Sequence, residues 1–143
     1  MPLKDNANDV SASINPNSTT KAASVSSVSA SNSQGKFYGS SHQWNANTDG
    51  ITYAEQGSDL VFGTGDYTIE AWVYILTTGQ ESIYDGRGGT NTNRVLFYVN
   101  SANKLANYIN ASVKGAATSD FPLNEWVHVA LVRSGMSELR VVT

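Results

Sequence analysis

The sequence predicts an all-β protein whose antiparallel sheets pack face to face as a sandwich. Three observations carry that expectation. The stretch Asp66-Tyr67-Thr68-Ile69-Glu70-Ala71-Trp72-Val73-Tyr74-Ile75 is dense in branched and aromatic residues, which suit a pleated surface. No run with helical period extends beyond about two turns. From Lys36 onward, short apolar runs alternate with polar turns and no helical pattern lies between them.

The Asp66–Ile75 stretch organises the rest. Tyr67, Ile69, Ala71, Val73 and Ile75 point one way, and Thr68, Glu70, Trp72 and Tyr74 the other. Neither set is purely polar, so a central strand is expected, covered on one side and partly covered on the other. Trp72 and Trp126, each large and set in an apolar run, read as core residues. Glu70 and His128 sit mid-strand and need hydrogen-bond partners, found in each other, in Arg133 or in tyrosine hydroxyls.

Residues 1–34 are a different material. Ser, Ala, Asn and Thr dominate, and no aromatic precedes Phe37. Such a segment buries too little surface to offset its ordering entropy alone, so an extended or flexible arm is expected. Val25 to Ala30 is the part suited to running extended along a surface. The domain is expected over 35–143. Lys36-Phe37-Tyr38-Gly39 reads as a strand start, Ser40 to Gly50 as a polar loop, and Ile51-Thr52-Tyr53-Ala54 as a second strand. Ser58 to Gly65 turns into the long strand, with Leu60 and Phe62 closing the end of the core.

Beyond Ile75, Thr77-Thr78-Gly79 signals a turn and Ser82-Ile83-Tyr84 a strand. Asp85 to Asn93 is a long polar loop. Arg94 to Asn100 and Lys104 to Asn110 form a hairpin around Ser101-Ala102-Asn103. Ser112 to Ser119 holds one weak strand. Glu125 to Arg133 is the second strong strand, and Glu138 to Val142 begins another.

At 143 residues the chain has room for one ordinary domain, and 40% hydrophobic content supports a packed core. Nine Lys+Arg against 12 Asp+Glu give a net charge of -3 with no block of like charge. Nucleic acid and anionic membrane surfaces, which demand a basic patch, are thereby disfavoured. The absence of cysteine excludes disulfides and thiolate metal sites. The opening residues lack an apolar signal-peptide core, so signal-dependent secretion is not expected, and the two Asn-x-Ser/Thr patterns at Asn17 and Asn110 read as chance matches.

Leu60 to Tyr74 resembles the opening of a laminin-G-like domain of the concanavalin A-like lectin/glucanase superfamily. Ile83-Tyr84-Asp85-Gly86-Arg87-Gly88-Gly89 with Val95-Leu96-Phe97-Tyr98-Val99 is similar to that family's next hairpin. Asn124 to Gly135 resembles its later core strand. The resemblance runs over residues 36–142 and implies a jelly-roll sandwich of two curved antiparallel sheets. Such domains occur in lectins, adhesion proteins, secreted hydrolases and bacteriophage structural proteins. Relatives usually continue past the counterpart of Glu138–Val142, so a shortened domain or an open edge is expected. An open edge tends to find a partner: another copy, a neighbouring protein or the arm.

Sugar-cleaving relatives carry paired carboxylates as E-x-D-x-x-E, since acid and nucleophile must flank the bond about 5 Å apart. No such run exists here; Glu70 is followed at i+2 by Trp72. Glu81 and Asp85 share a strand face only at wide separation, and His42 and His128 lie in no catalytic motif. A non-enzymatic chain is expected. Relatives often bind calcium, a hard cation needing several oxygen ligands, and Asp85, Asn91 and Asn93, with Asp49 or Asp59, are the candidates. The same residue types are ordinary turn formers. For sugar contact the candidates are Trp44 and His42, with Asp85, Arg87, Asn91 and Asn93 as polar companions; Trp44 equally suits anchoring its own loop or a subunit contact.

The resemblance implies a structural or interaction module within a larger homo-oligomeric assembly. Its most concrete form is a bacteriophage virion protein (capsid decoration, fibre or knob) held by its arm and contacting host-surface glycans. The alternative is a soluble, extracellular carbohydrate-binding lectin, calcium dependent or not.

Overall fold

A computed structural model describes residues 23–53, 62–63, 65–86, 94–109, 112–135 and the backbone of 138–142, and none of these is helical. In chain order the strands are β1 (Ala23–Ser26), β2 (Ser29–Ser31), β3 (Ser41–Gln43), β4 (Gly50–Tyr53), β5 (Tyr67–Tyr74), β6 (Glu81–Asp85), β7 (Val95–Val99), β8 (Leu105–Ile109), β9 (Ser112–Ala116), β10 (Trp126–Ser134) and β11 (Glu138–Val142). The chain divides into two units, Met1–Asp59 and Leu60–Thr143.

The second unit is the expected sandwich. One sheet runs β11-β10-β5 and the other β6-β7-β8-β9, with antiparallel pairing throughout. Val127, Val129 and Leu131 of β10 pack with Val95, Phe97, Val99 and Leu105 of the other sheet. Tyr67, Ile69, Ala71 and Val73 of β5 join them, as the alternation predicts. Phe62 also packs on this core, as expected, while Leu60 lies outside the described residues. Phe121 seals one end, its N–H bonded to the Asn103 carbonyl at 2.8 Å. The β7 run is buried at every position, which is why it reads as continuously apolar.

Two expectations are corrected here. Among the described residues β10, not β5, is the middle strand of its sheet. Trp72 is 40% exposed and Trp126 half-buried, so neither is a core residue. Both side chains lie on the face that also carries Glu70 and His128. Desolvating those ionisable groups would cost more than a buried indole returns.

In the first unit, β1 pairs with β4 and β2 with β3, both antiparallel. Residues 23–31, read from sequence as part of an arm, thus form two of its strands. Ser27, with a positive φ of 55°, breaks the chain between β1 and β2. Lys36 to Gly39, expected to begin a strand, instead enters a tight turn over Phe37 to Ser40, with positive φ at Tyr38 (56°) and Gly39 (71°). The Ser40 N–H closes it on the Phe37 carbonyl at 3.4 Å. A Cβ at Gly35 would come within 2.6 Å of the Gly39 carbonyl carbon, so only glycine fits there. The loop after β3 is capped by Asp49, whose Oδ2 accepts the N–H groups of Asn45 (2.7 Å) and Ala46 (3.0 Å).

A polar side chain of β8 is buried in the core of the second unit without a partner. Asn107 of β8 is fully buried on the core face, and neither its Nδ2 nor its Oδ1 is hydrogen-bonded. Gly115 lies opposite it on β9, where a Cβ would stand 3.2 Å from Oδ1. An orphan amide of this kind costs about 1–3 kcal/mol. Asn107→Leu, close in shape, is therefore expected to raise the unfolding free energy by about 1–3 kcal/mol in denaturant titration. A lower midpoint for the variant would mean that the amide is satisfied in solution.

Candidate functional site

The register of β5 against β10 builds a second surface on the side of the sheet away from the core. Residues on even positions of both strands face outward, and the pairs follow one another as Tyr74 opposite Trp126, Trp72 opposite His128, Glu70 opposite Ala130, and Thr68 opposite Val132. The Tyr74 and Trp126 rings meet edge-on, with centroids 5.6 Å apart at 65°. The Trp72 and His128 rings are tilted at 42° with centroids 5.1 Å apart. His128 Nε2 lies 3.4 Å from Glu70 Oε2, and both side chains are well exposed. The pairing expected of Glu70 and His128 is thus present, but on a solvent-facing surface.

At the end of this strand pair a shallow, largely open depression of about 390 Å³ is lined by Asp66, Tyr67, Thr68, Val132, Arg133 and Ser134, drawn from both faces of the sheet. Its walls are tied down. Arg133 Nη1 donates to the Gly63 carbonyl at 2.9 Å, and the Gly135 N–H donates to Asp66 Oδ1 at 2.8 Å. Tyr67 stacks on Phe62, centroids 4.7 Å apart, and its buried hydroxyl has no hydrogen-bond partner. Burial pushes the Tyr67 phenol above its ordinary value of 10.0, and the Arg133 guanidinium partly offsets that rise.

Chemically, this face offers ring surfaces, an imidazole, a carboxylate and hydroxyls. The two outward carboxylates on this stretch, Asp66 and Glu70, are four residues apart, about 14 Å along an extended strand. Glycoside cleavage uses carboxyl groups about 5–9.5 Å apart, so this pair fits neither geometry.

The residues singled out from sequence lie elsewhere. His42 is in β3, half-buried with an unpartnered Nδ1, and Trp44 follows it, 50% exposed. Their rings meet edge-on at 6.3 Å, so these two come together as expected. Asp85 ends β6 in the other unit, exposed and in register with Leu96. Arg87, Asn91, Asn93 and Asp59 lie outside the described residues. For calcium, the described candidates fit poorly. Asp49 already caps its own loop, and among the described residues no three His, Asp or Glu gather as a metal site. Sequence reading passed over Trp72, Tyr74, Trp126 and His128 as site residues. The available signal was Glu70 and His128 on the same face as the rings.

The laminin-G-like model of the concanavalin A-like lectin/glucanases superfamily matches residues 45–142. The chain therefore belongs to that superfamily, and its sandwich is of the concanavalin A-like kind. Domains of this type serve as carbohydrate-binding or interaction modules; they are usually non-catalytic, although the superfamily also includes glucanases. Comparison with curated proteins and with solved structures returned no match.

Tyr67 gives the site a pH signature. Its neutral form is favoured in the folded protein, so its contribution is complete below pH about 10 and is lost as pH rises through the higher folded value. Between those two values the unfolded chain releases a proton that the folded chain keeps. Thermal melts should therefore fall more steeply above pH about 10 for the parent than for Tyr67→Phe. Equal slopes would mean the phenol titrates as if exposed.

Proposed function

We propose that this chain is a non-enzymatic, glycan-binding interaction module, with the outward face of β5 and β10 as its binding surface. The supporting observation is the exposed pair of rings, Trp72 on His128, set beside Tyr74 and Trp126 with Glu70 at hand. Aromatic faces take the C–H surface of a sugar ring, while adjacent carboxylate and imidazole groups take its hydroxyls. The wide spacing of Asp66 and Glu70 supports binding without cleavage. His42 and the exposed Trp44 form a second, edge-on aromatic pair that suits the same ligand chemistry.

The setting we propose is an assembly of several subunits, most concretely a bacteriophage virion protein (decoration, fibre or knob) tethered through its N-terminal unit. Val25, Phe37, Tyr38 and Trp44, all at least half exposed, support contact with another protein at the first unit. A soluble extracellular lectin is the second reading, favoured by a proposed binding face that lies wholly on one strand pair. Light scattering on the full chain separates the two: a defined oligomer supports the assembly reading and a monomer the lectin. No bound cofactor is proposed for the ring face; calcium, with Asp85 as the described candidate, is tested by adding a chelator.

Trp72→Ala is expected to weaken glycan binding at least about tenfold, the loss of about 1.4 kcal/mol, as read by calorimetry on array hits. Because the ring is already 40% exposed, the melting temperature should move little. Unchanged affinity in the variant would remove this face from the proposal. Loss of binding on chelation would restore a calcium site.

A further inference from the structure

Two aspartates are followed directly by glycine, as Asp49-Gly50 and Asp85-Gly86. That dipeptide carries a chemistry of its own. With no Cβ on the second residue, its backbone nitrogen is unshielded and can swing onto the side-chain carboxyl before it. The nitrogen attacks Cγ, an N–Cγ bond forms, the C–OH bond breaks, and the amide proton leaves with the hydroxyl as water. Water then opens the cyclic imide at either carbonyl. Opening at one restores aspartate; opening at the other gives isoaspartate, whose main chain runs through Cβ and Cγ.

The fold treats the two positions differently. Gly86 follows β6, and its N–H donates at 2.8 Å to the Val95 carbonyl of the buried strand β7. The Tyr84 side chain lies against it, so close that a Cβ at Gly86 would come within 2.8 Å of the hydroxyl oxygen. That nitrogen is committed, and turning it onto Asp85 means lifting β6 from a strand held in the core. Gly50 instead opens β4, whose partner among the described residues is β1, and it forms the last pair of that ribbon, opposite Ser26. Every residue of β1 is exposed. A Cβ at Gly50 would meet nothing within 4 Å, so the space beside it is open. A two-stranded ribbon with so little buried is marginal, and its terminal pair opens readily. The restraint on Asp49 is its cap, Oδ2 on the N–H groups of Asn45 and Ala46, with the Asp49 N–H on the Ala46 carbonyl at 3.0 Å.

We propose that Asp49-Gly50 is a modification site at which the backbone isomerises spontaneously to isoaspartate, gated by opening of the β1–β4 end and by release of the Asp49 cap. Asp85-Gly86 is protected by its place beside β7. The product adds one main-chain carbon at the entrance to β4, which puts Gly50 out of step with Ser26. It also withdraws the carboxylate from the Asn45 and Ala46 N–H groups, so the loop that begins at Trp44 loses its tie. An aged chain thus presents Trp44 differently from a new one, without any enzyme acting.

Prolonged incubation of the full chain near neutral pH tests this, followed by peptide mapping with electron-transfer fragmentation, which separates isoaspartate from aspartate. The folded chain should carry about tenfold or more isoaspartate at position 49 over position 85, the ratio set by about 1.4 kcal/mol between their opening free energies. In denaturant the two positions should isomerise at similar rates, because the fold alone separates them. Gly50→Ala, which the open space accommodates, should suppress the reaction at 49 by shielding the nitrogen. Ala46→Pro deletes one of the two capping N–H groups and should speed it; Asn45→Pro deletes the other and serves where the first variant does not fold. Equal isoaspartate at 49 and 85 in the folded chain overturns the proposal. So does an intact Asp49 under conditions where the denatured chain isomerises, or a rate at 49 indifferent to both proline variants.

Discussion

The register of β5 against β10 is the constraint on which the second unit depends. Tyr67 stands opposite Arg133 and Tyr74 opposite Trp126, with every pair between in step. A slip of one residue by β5 would carry Ile69 and Val73 into water and turn Glu70 and Trp72 toward Phe97 and Leu105. Losing the apolar set forfeits about 1.5–3 kcal/mol per large side chain, and burying the charged groups adds several more. The register that closes the core therefore also lines up the outward rings. Core and face are two sides of one pairing.

Strand positions were legible because alternation of period two is local. Ile69 and Val73, and Val127 and Leu131, declare a face without reference to anything distant. The continuous Val95–Val99 run likewise declares burial on both faces. What period two does not declare is which face is wet when both carry large side chains. Trp72 is apolar enough to read as core, and only Glu70 and His128 beside it tip the balance. Weighed by magnitude, two ionisable groups outvote one indole. Counting those groups per face, instead of reading each tryptophan alone, would have exposed the site. The place of β5 outside β10 among the described strands was illegible for another reason: neighbour order is set by partners far along the chain.

The first unit follows different rules. Its strands are short and rich in Ser, Ala and Gly, and none of its described residues is fully buried. Backbone pairing and turn geometry hold it, with Gly35, Gly39 and the Asp49 carboxylate as the fixed points. Hydrophobic periodicity has nothing to report in such a segment. His42 accordingly read as a loop residue although β3 pairs it with Ala30 of β2. Asp49 shows the same limit at a candidate metal ligand, since an aspartate that caps a turn and one that binds calcium look alike until its hydrogen bonds are known.

Exposed aromatic side chains on a sheet face are tolerable in stability terms because cross-strand pairing returns part of what solvent exposure forfeits. Trp72 with His128 and Tyr74 with Trp126 are directly opposed pairs of the kind worth about 0.2–1 kcal/mol each. That gain is small beside the core. Its larger consequence is positional, since each ring is held by its neighbour across the strand and by the backbone register beneath. A ligand of the kind proposed would meet rings already in place on this face. Ordering costs that a loop-borne site would incur on binding would here be incurred in folding, by a pairing the core demands in any case.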